Sequence, residues 1–497
     1  MSCVLRRRAS ALAKIAVPVV ASLLFSAGCA VGPRYSRPTA PVPPTYKEEP
    51  PGWKTAQPND QVARGKWWEM FEDPQLNTFE EQINPSNQNL KAAVAQFEQA
   101  RALVTFNRAN YYPTGTASVS ASRNRQSENR GLATTLSKTN YTDLIAPVNV
   151  SYEADLFGRV RRSVEAARSS AQASAGDMES VSLSLHAELA ADYFQLRTFD
   201  AEERLLNDTV AAFEKALQLT QNRYRGGVAS AVDVAQAQTQ LETTRSQAID
   251  LQVQRAQFEH AIAVLLGQPA STFSIGPAPW TTPPPAIPPG LPSDLLERRP
   301  DIAAAERRAS AANAQIGVAR AAYFPLLTLS AAGGFESRSL TTWFNGPSGF
   351  VSAGASAVVT AFDAGRRHAV SEQARAAYDQ TVANYRQTVL SAFQEVEDNL
   401  AALRILENEA TTQDAAVNAA QHSLELSTNR YKGGVVSYLE VITAQSIALS
   451  DERAAVDILR RRMIASVQLI KALGGGWTSA HLPAVQLVTH PAQANGQ

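Results

Sequence analysis

Cysteine is almost missing from this sequence: Cys3 and Cys29 are the only two, both at its amino-terminal end. A disulfide framework is therefore excluded, and a chain of 497 residues must be held by packing or by assembly. A charge surplus is missing too, with 46 basic and 46 acidic residues. A nucleic-acid binder would show a basic excess. After Cys29 there is no run of 18 or more apolar residues, which excludes membrane-crossing helices but not strands. The six histidines (His186, His260, His368, His422, His481 and His490) are scattered. None stands at ligand spacing from another histidine, a cysteine or an aspartate, so no metal is expected. Phosphate loops, dinucleotide fingerprints and a Gly-x-Ser-x-Gly elbow are lacking as well. Carboxylate pairs such as Glu202 and Glu203 sit in charged helical stretches and read as solvated faces. The expectation is a protein without catalytic residues or cofactor, whose energy comes from partners.

What is present begins with a targeting segment over residues 1–28. Arg6, Arg7 and Arg8 precede a short apolar core, and Ser26-Ala-Gly-Cys29 follows. Small residues before a cysteine resemble a bacterial lipobox, although Ser26 stands where such boxes usually have Leu. On that reading Cys29 becomes the first mature residue and carries N-palmitoyl and S-diacylglycerol groups. Ala30 follows it instead of the Asp that often retains lipoproteins at the inner membrane, so the outer membrane is the expected destination. Residues 29–66 form the anchor and a proline-rich, extended tether.

The body is written twice. Residues 222–228 read Asn-Arg-Tyr-Arg-Gly-Gly-Val, and residues 429–435 read Asn-Arg-Tyr-Lys-Gly-Gly-Val. Aligning them also aligns Gly158-Arg159 with Gly365-Arg366 and Leu266-Gly267 with Leu473-Gly474, which marks an internal duplication. Each heptapeptide lies between long stretches nearly free of Gly and Pro: 159–222 and 231–266, then 366–429 and 438–473. The first repeat is placed at 67–275, a proline-rich connector at 276–293, the second repeat at 294–477 and a polar tail at 478–497. Each repeat reads helix, strand pair, long helix, tip, long helix. The first helix is expected as one piece from Leu76 to about Asn110, with Leu90, Val94, Phe97, Arg101 and Val104 near helical spacing. Paired glycines in left-handed geometry are expected to end the long helix at each tip.

The strands alternate. Val148, Val150, Tyr152, Ala154 and Leu156 interleave with Asn149, Ser151, Glu153 and Asp155. Leu327, Leu329, Ala331 and Phe335 stand against Thr328 and Ser330, and Val351, Ala353, Ala355, Ala357, Val359 and Ala361 against Ser352, Gly354, Ser356 and Thr360. Polar stretches at 122–140 and 336–349 read as loops between them. Such alternation suits a barrel strand with one lipid face and one wet face, and equally a half-buried soluble sheet. Four strands cannot close a barrel, because an open edge in lipid leaves backbone groups unpaired. A membrane location would require several copies to share one barrel. In the first long helix, Val160, Val164, Ala167, Ala171, Ser174, Met178, Val181 and Leu185 form a heptad seam of small residues, and Leu189 and Tyr193 extend it through a stutter. A coiled-coil stalk would show the same seam. Fusion to strand pairs too few to close alone favours a tube.

Taken with Cys29, Val31-Gly-Pro-Arg-Tyr35, Trp67-Trp68, Asp73-Pro74, Tyr152-Glu-Ala-Asp-Leu-Phe-Gly158, Arg298-Arg-Pro-Asp301, both tips and Leu473-Gly-Gly-Gly-Trp477, the chain resembles the TolC-like outer membrane efflux protein family, in its lipoprotein branch of NodT and OprM type. The resemblance implies an α+β membrane protein: a homotrimer whose twelve-stranded outer membrane β-barrel, four strands per chain, continues as a long periplasmic α-helical barrel with an equatorial domain. It implies a passive exit duct for small molecules, fed by an inner membrane RND transporter through a periplasmic adapter. The exit channel of a type I protein secretion system shares the fold, and a lipid-anchored stalk without a pore is the reading from another class. By position, the resemblance makes Asn222, Arg223, Tyr224, Arg225, Gly226, Gly227 and Ser230, with Asn429, Arg430, Tyr431, Lys432, Gly433, Gly434 and Ser437, the periplasmic tips that meet the adapter or gate the pore. The arginines and Lys432 have an equal claim as partners of helix-end carbonyls, and the tyrosines as packing across the turn. Relatives place aspartates before the second tip; here Glu425 substitutes, or a constriction rests on Asn429 and Arg430.

Substituting Cys29→Ser is expected to abolish incorporation of labelled palmitate. Label persisting on that variant would place the lipid elsewhere.

Overall fold

The computed structural model describes residues 30–48, 65–125, 140–278, 283–287, 294–477 and residue 482. Cys29, most of the connector and all of the tail but residue 482 lie outside them. Trp67–Phe71 forms a 3-10 turn, and Asp73 then caps helix α1 (Pro74–Ser86) by accepting hydrogen bonds from the Gln75 and Leu76 amides at 2.9 and 3.0 Å. Pro74 fits the first helical position, where no amide donor is needed. The first helix is not one piece. Asn87 takes an extended conformation, ends α1 and caps α2 (Gln88–Ala109) through the Leu90 amide, while its own side-chain amide donates to the Leu265 carbonyl. A polar side chain with two such partners outcompetes helix continuation.

Strands β1 (Thr114–Ala117), β2 (Ser120–Arg125) and β3 (Asn140–Ala154) follow, then helices α3 (Arg159–Arg225) and α4 (Ala231–Leu265). After a single helical turn at Leu295–Arg298, the second half gives α5 (Pro300–Ala321), β4 (Leu326–Ser337), β5 (Gly349–Val358), α6 (Arg366–Lys432) and α7 (Tyr438–Ala472). The duplication is carried to the residue: α3 and α6 each have 67 residues, and α4 and α7 each have 35. At about 1.5 Å per residue α3 and α6 each span about 100 Å, and α4 and α7 about 50 Å.

The strands make one antiparallel sheet in the order β1-β3-β4-β5, with β2 pairing to β3 beyond β1. β1 and β2 occupy one strand position in one register, Thr114 opposite Ser151 and Arg125 opposite Asn140. They are interrupted beside Pro147, which has no amide to donate. On its other side Pro147 faces Gly334, where any side chain would run into the Ala146 carbonyl and Pro147 Cα. The strands also reach further into the polar stretches than the sequence suggested, with Ser122–Arg125 and Asn140 laddered; in the second half, β5 ends at Val358, before Val359 and Ala361.

Register sorts the faces. Val148, Val150, Tyr152 and Ala154 line up with Gly333, Ala331, Leu329 and Leu327, and these with Val351, Ala353, Ala355 and Ala357. The opposite face carries Asn149, Ser151 and Glu153 against Ala332, Ser330 and Thr328, then Ser352, Gly354 and Ser356. One face is apolar and the other polar, and both outer edges of the sheet are unpaired among the described residues. At its foot stand exposed Tyr112, Tyr323, Phe324 and Phe362, aromatics of the kind that gird a membrane interface.

Below the sheet, α3 packs against α2 on one side and α5 on the other, and α5 packs against α6. At the α3–α5 contact Gly176 lies against Ala304 and the Pro300 carbonyl, and Ser169 meets Ser310 at 3.1 Å, while Ala171 packs on the other side against Val104 of α2. Small side chains let the axes approach closely. Val94 on α2, by contrast, is exposed in the single chain.

Midway along the helices lies the main apolar core, which gathers Trp67, Phe71, Leu76, Ile83, Leu189, Phe194, Ile262, Val389, Val396 and Val467. Buried charges inside it are paired. Arg197 donates to Asp200 at 2.6 Å, to the Gly276 carbonyl at 2.9 Å and to Gln75, while Arg255 reaches the other Asp200 oxygen at 2.7 Å and the Ile275 carbonyl at 2.6 Å. This network ties the start of the connector to α3 and α4. Arg299 likewise joins Asp301, Glu395 and the Ala472 carbonyl at the end of α7. The amino-terminal segment is extended, as its prolines require, but it is strapped to the body over residues 30–48. Tyr35 donates to Glu306, Arg386 to the Thr39 carbonyl, and the Lys47 and Glu48 amides to Glu397.

His186 and Glu80 form a buried pair at 2.6 Å under the stacked ring of Trp68. Burial raises Glu80 well above the carboxylate range and pushes His186 down to about 4. The pair is therefore neutral: the Glu80 hydroxyl donates to Nδ1, and Nε2–H donates to Asn84 Oδ1 at 3.2 Å. Ordinary values are 4.5 and 6.5. Above pH 6.5 the unfolded chain holds neither proton, and over the range in which the folded chain still keeps the Glu80 proton stability falls as pH rises. Between 4.5 and 6.5 each state holds one proton and the two effects cancel. Below 4.5 the unfolded state holds two, and stability falls again. Thermal unfolding from pH 6.5 to 9 should show a decline, at most about 1.4 kcal/mol per pH unit, that Glu80→Gln removes. Equal slopes in both proteins would contradict the neutral pair.

Candidate functional site at the hairpin tips

Each long helix ends at its tip in the same hydrogen-bonded turn. At the first, the Gly227 amide bonds the Tyr224 carbonyl at 3.0 Å and the Val228 amide the Arg223 carbonyl at 2.9 Å. At the second, Gly434 bonds Tyr431 and Val435 bonds Arg430, both at 3.0 Å. This is the Schellman arrangement, which satisfies the last carbonyls of a helix. One glycine of each pair takes the left-handed conformation, Gly227 at φ +73° and Gly434 at φ +78°. Gly226 and Gly433 keep negative φ, so the expectation that both glycines are left-handed is corrected.

The two tips differ in what their side chains do. Ser230 starts α4 with a complete capping box: its hydroxyl accepts from the Asp233 amide at 3.2 Å, and its own amide donates to Asp233 at 2.9 Å. Ser437 has the same pattern ahead of Glu440, yet makes no side-chain cap. Glu440 instead holds Arg430 at 2.6 Å. Arg223 crosses between hairpins. Its guanidinium lies 4.8 Å from the centre of the Tyr431 ring, and Nη1 donates to the Lys432 carbonyl at 3.1 Å. The first tip thus supplies the cation for the carbonyl end of the second, with a charge-assisted bond and a cation–π contact on one side chain.

Tyr431 is buried, its ring 5.2 Å from that of Tyr438, beside Ala237 and Val441. Burial and the neighbouring Tyr431 push Tyr438 up to about 12. The equivalent Tyr224 is half exposed. Asn222, Arg225, Asn429 and Lys432 are exposed as well. Structure therefore unites Arg223, Tyr431 and Lys432 across the two hairpins and leaves Tyr224 outward. Asp233 and Glu440 belong to the site and were missed, although Ser-x-x-Asp and Ser-x-x-Glu after each tip were visible in the sequence.

A family model described as outer membrane efflux protein matches the chain twice, over residues 81–268 and 291–475. The chain belongs to the outer membrane efflux protein family. TtgC of Pseudomonas putida KT2440, a probable efflux pump outer membrane protein, is 34% identical over 90% of this chain and 93% of its own length. Outer membrane protein OprJ of Pseudomonas aeruginosa PAO1 is 32% identical over the same shares. Among solved structures, the outer-membrane channel OprN superposes with a TM-score of 0.82 at 30% identity, covering 90% of this chain and all of that one. The CmeC outer membrane channel of Campylobacter jejuni gives 0.85 at 25% identity, over 92% and 97%. The fold is that of TolC-like outer membrane channels, and the protein resides in the outer membrane and extends into the periplasm. In this family member Glu425 is exposed on α6, 3.9 Å from His422, and has no bond to Asn429 among the described contacts.

No metal-holding cluster of carboxylates, histidines or cysteines occurs among the described residues. A polar opening of about 760 Å³ separates α3, α4 and α7, crossed by the Arg453–Glu202 pair at 2.6 Å. It lies up the helices from the tips.

Gly434→Ala is expected to cost about 1–2 kcal/mol through left-handed strain, lowering hydrogen-exchange protection of the tip amides roughly 5- to 30-fold. Gly433→Ala, with negative φ and only ordinary contacts at its Cβ position, should change little. Equal effects would contradict the assigned turn.

Proposed function

We propose that this chain is one third of a trimeric exit duct, through which small molecules delivered by an inner membrane RND pump and a periplasmic adapter leave the cell. One observation carries the reading: an antiparallel sheet of four strand positions, apolar on one face and polar on the other, with both edges unpaired among the described residues. In lipid those edges must find partners. β5 of one copy runs antiparallel to the β1–β2 position of the next, and three copies give twelve strands, an even number above the smallest bacterial barrels. The polar face then lines the lumen. Helices α3 and α6, each about 100 Å long, continue the tube into the periplasm with α4 and α7 beside their lower halves.

Relatives support the solute class. They include toluene, antibiotic and cation efflux proteins and a pyoverdine exporter, all named for small solutes. That favours efflux over export of a folded or unfolded protein, and a conduit over a poreless stalk. Lipid attachment at Cys29 fits as well. Ala30 packs against Gly158 at the junction of β3 and α3, the level at which the apolar face begins, so an acyl chain on the preceding residue would enter the bilayer beside the barrel.

The tips are the proposed adapter contact and gate. Arg223, Arg225, Arg430 and Lys432 set four positive charges at the far end of the helices, with Asn222, Tyr224, Asn429 and Tyr431 between them, and Gly226, Gly227, Gly433, Gly434, Ser230 and Ser437 shape the turns. Glu425 and Asn429 are the proposed constriction. Purified protein in planar bilayers should conduct, and Arg223→Glu with Arg430→Glu should raise conductance while reducing cross-linking to the adapter. Absence of conductance in both proteins would overturn the duct.

A further inference from the structure

The duplication allows a contact between copies to be read from a contact within one. Resting on the duct reading, we propose that Arg430 of each copy covers Tyr224 of the next and donates to its Arg225 carbonyl. In a closed ring, the hairpins α3–α4 and α6–α7 alternate. The step that carries the first hairpin onto the second carries the second onto the first hairpin of the next copy. Under that step Arg223 becomes Arg430, Tyr431 becomes Tyr224, and the Lys432 carbonyl becomes that of Arg225. The residue types needed are retained at every position except Lys432, which contributes only its carbonyl.

The single chain shows the two halves of this contact waiting. Tyr431 is covered by Arg223 and 4% exposed, whereas Tyr224 is 50% exposed. Arg430 is half exposed and, among the described residues, is held by Glu440 of its own hairpin. A tyrosine and a guanidinium whose counterparts are stacked are thus left open on opposite flanks of the chain. Six Arg-on-Tyr stations result, three within copies and three between them.

The two sets are not equal. Among the described residues Arg223 has no acidic rival for its place on Tyr431, because Asp233, the counterpart of Glu440, is occupied in the capping box with Ser230. Arg430 must divide itself between Glu440 and the neighbouring ring. The stations between copies are therefore the weaker ones, and they part first when the tips spread.

The test uses the full-length protein in its membrane, with cysteine pairs and a short bis-maleimide. Tyr224→Cys with Arg430→Cys should yield species of two and three chains on a denaturing gel. Arg223→Cys with Tyr431→Cys should consume both thiols at single-chain mobility. Protein without added cysteines and each single variant should stay at single-chain mobility. The inference is overturned if the first pair remains single-chain while the second links, or if Tyr224→Cys alone links to itself. If wild-type protein conducts in bilayers and the first pair still fails, this inference falls and the duct stands; if there is no conductance, the duct reading itself has failed.

Discussion

Unpaired backbone at the two edges of one sheet governs the rest of this structure. In water an open edge costs little, since solvent supplies the missing partners. In a bilayer it cannot persist, because each unsatisfied amide or carbonyl costs several kcal/mol. A sheet of four strand positions with an apolar face is therefore a fraction of an object. On the proposed duct reading, the strands set how many copies are needed and the duplicated helices set how those copies meet, with contacts inside a chain as templates for contacts between chains.

Below the membrane the constraint changes from hydrogen bonding to packing. The α3–α5 contact uses alanine and glycine to bring long helices close, which leaves little apolar area per residue. The apolar core midway along the helices compensates. Its core concentrates the large side chains, and its buried arginines are fully partnered: Arg197 and Arg255 share Asp200, while Arg299 joins Asp301, Glu395 and the end of α7. Such groups are costly to bury singly and specific when satisfied. They fix where the connector starts and where the second repeat begins, so the two halves are held in register.

Much of this was legible in the sequence. Four helix spans, their shared tip motif and the strand alternation follow from period and from glycine placement, which are local properties. The break at Asn87 was not, because its cause is a bond to Leu265, far along the chain. The interruption beside Pro147 was readable in principle, since proline lacks a donor, but only once its register opposite Ser118 was known. At the tips, sequence gave the turns and the positive charges. It could not say that Arg223 would serve the other hairpin's carbonyl, that Tyr431 would be buried while Tyr224 stayed open, or that Glu440 would leave its capping role for Arg430. Those outcomes depend on which neighbour stands beside each tip. Local chemistry was the same twice; the surroundings were not.

The central claim is that the working object is a ring of three copies around one lumen. Native mass spectrometry of detergent-solubilised protein, joined to electron microscopy of the same sample, tests it most directly. The account predicts a particle of three chains with a continuous axial cavity through strands and helices. A single-chain particle, or a multimer without that cavity, would contradict it.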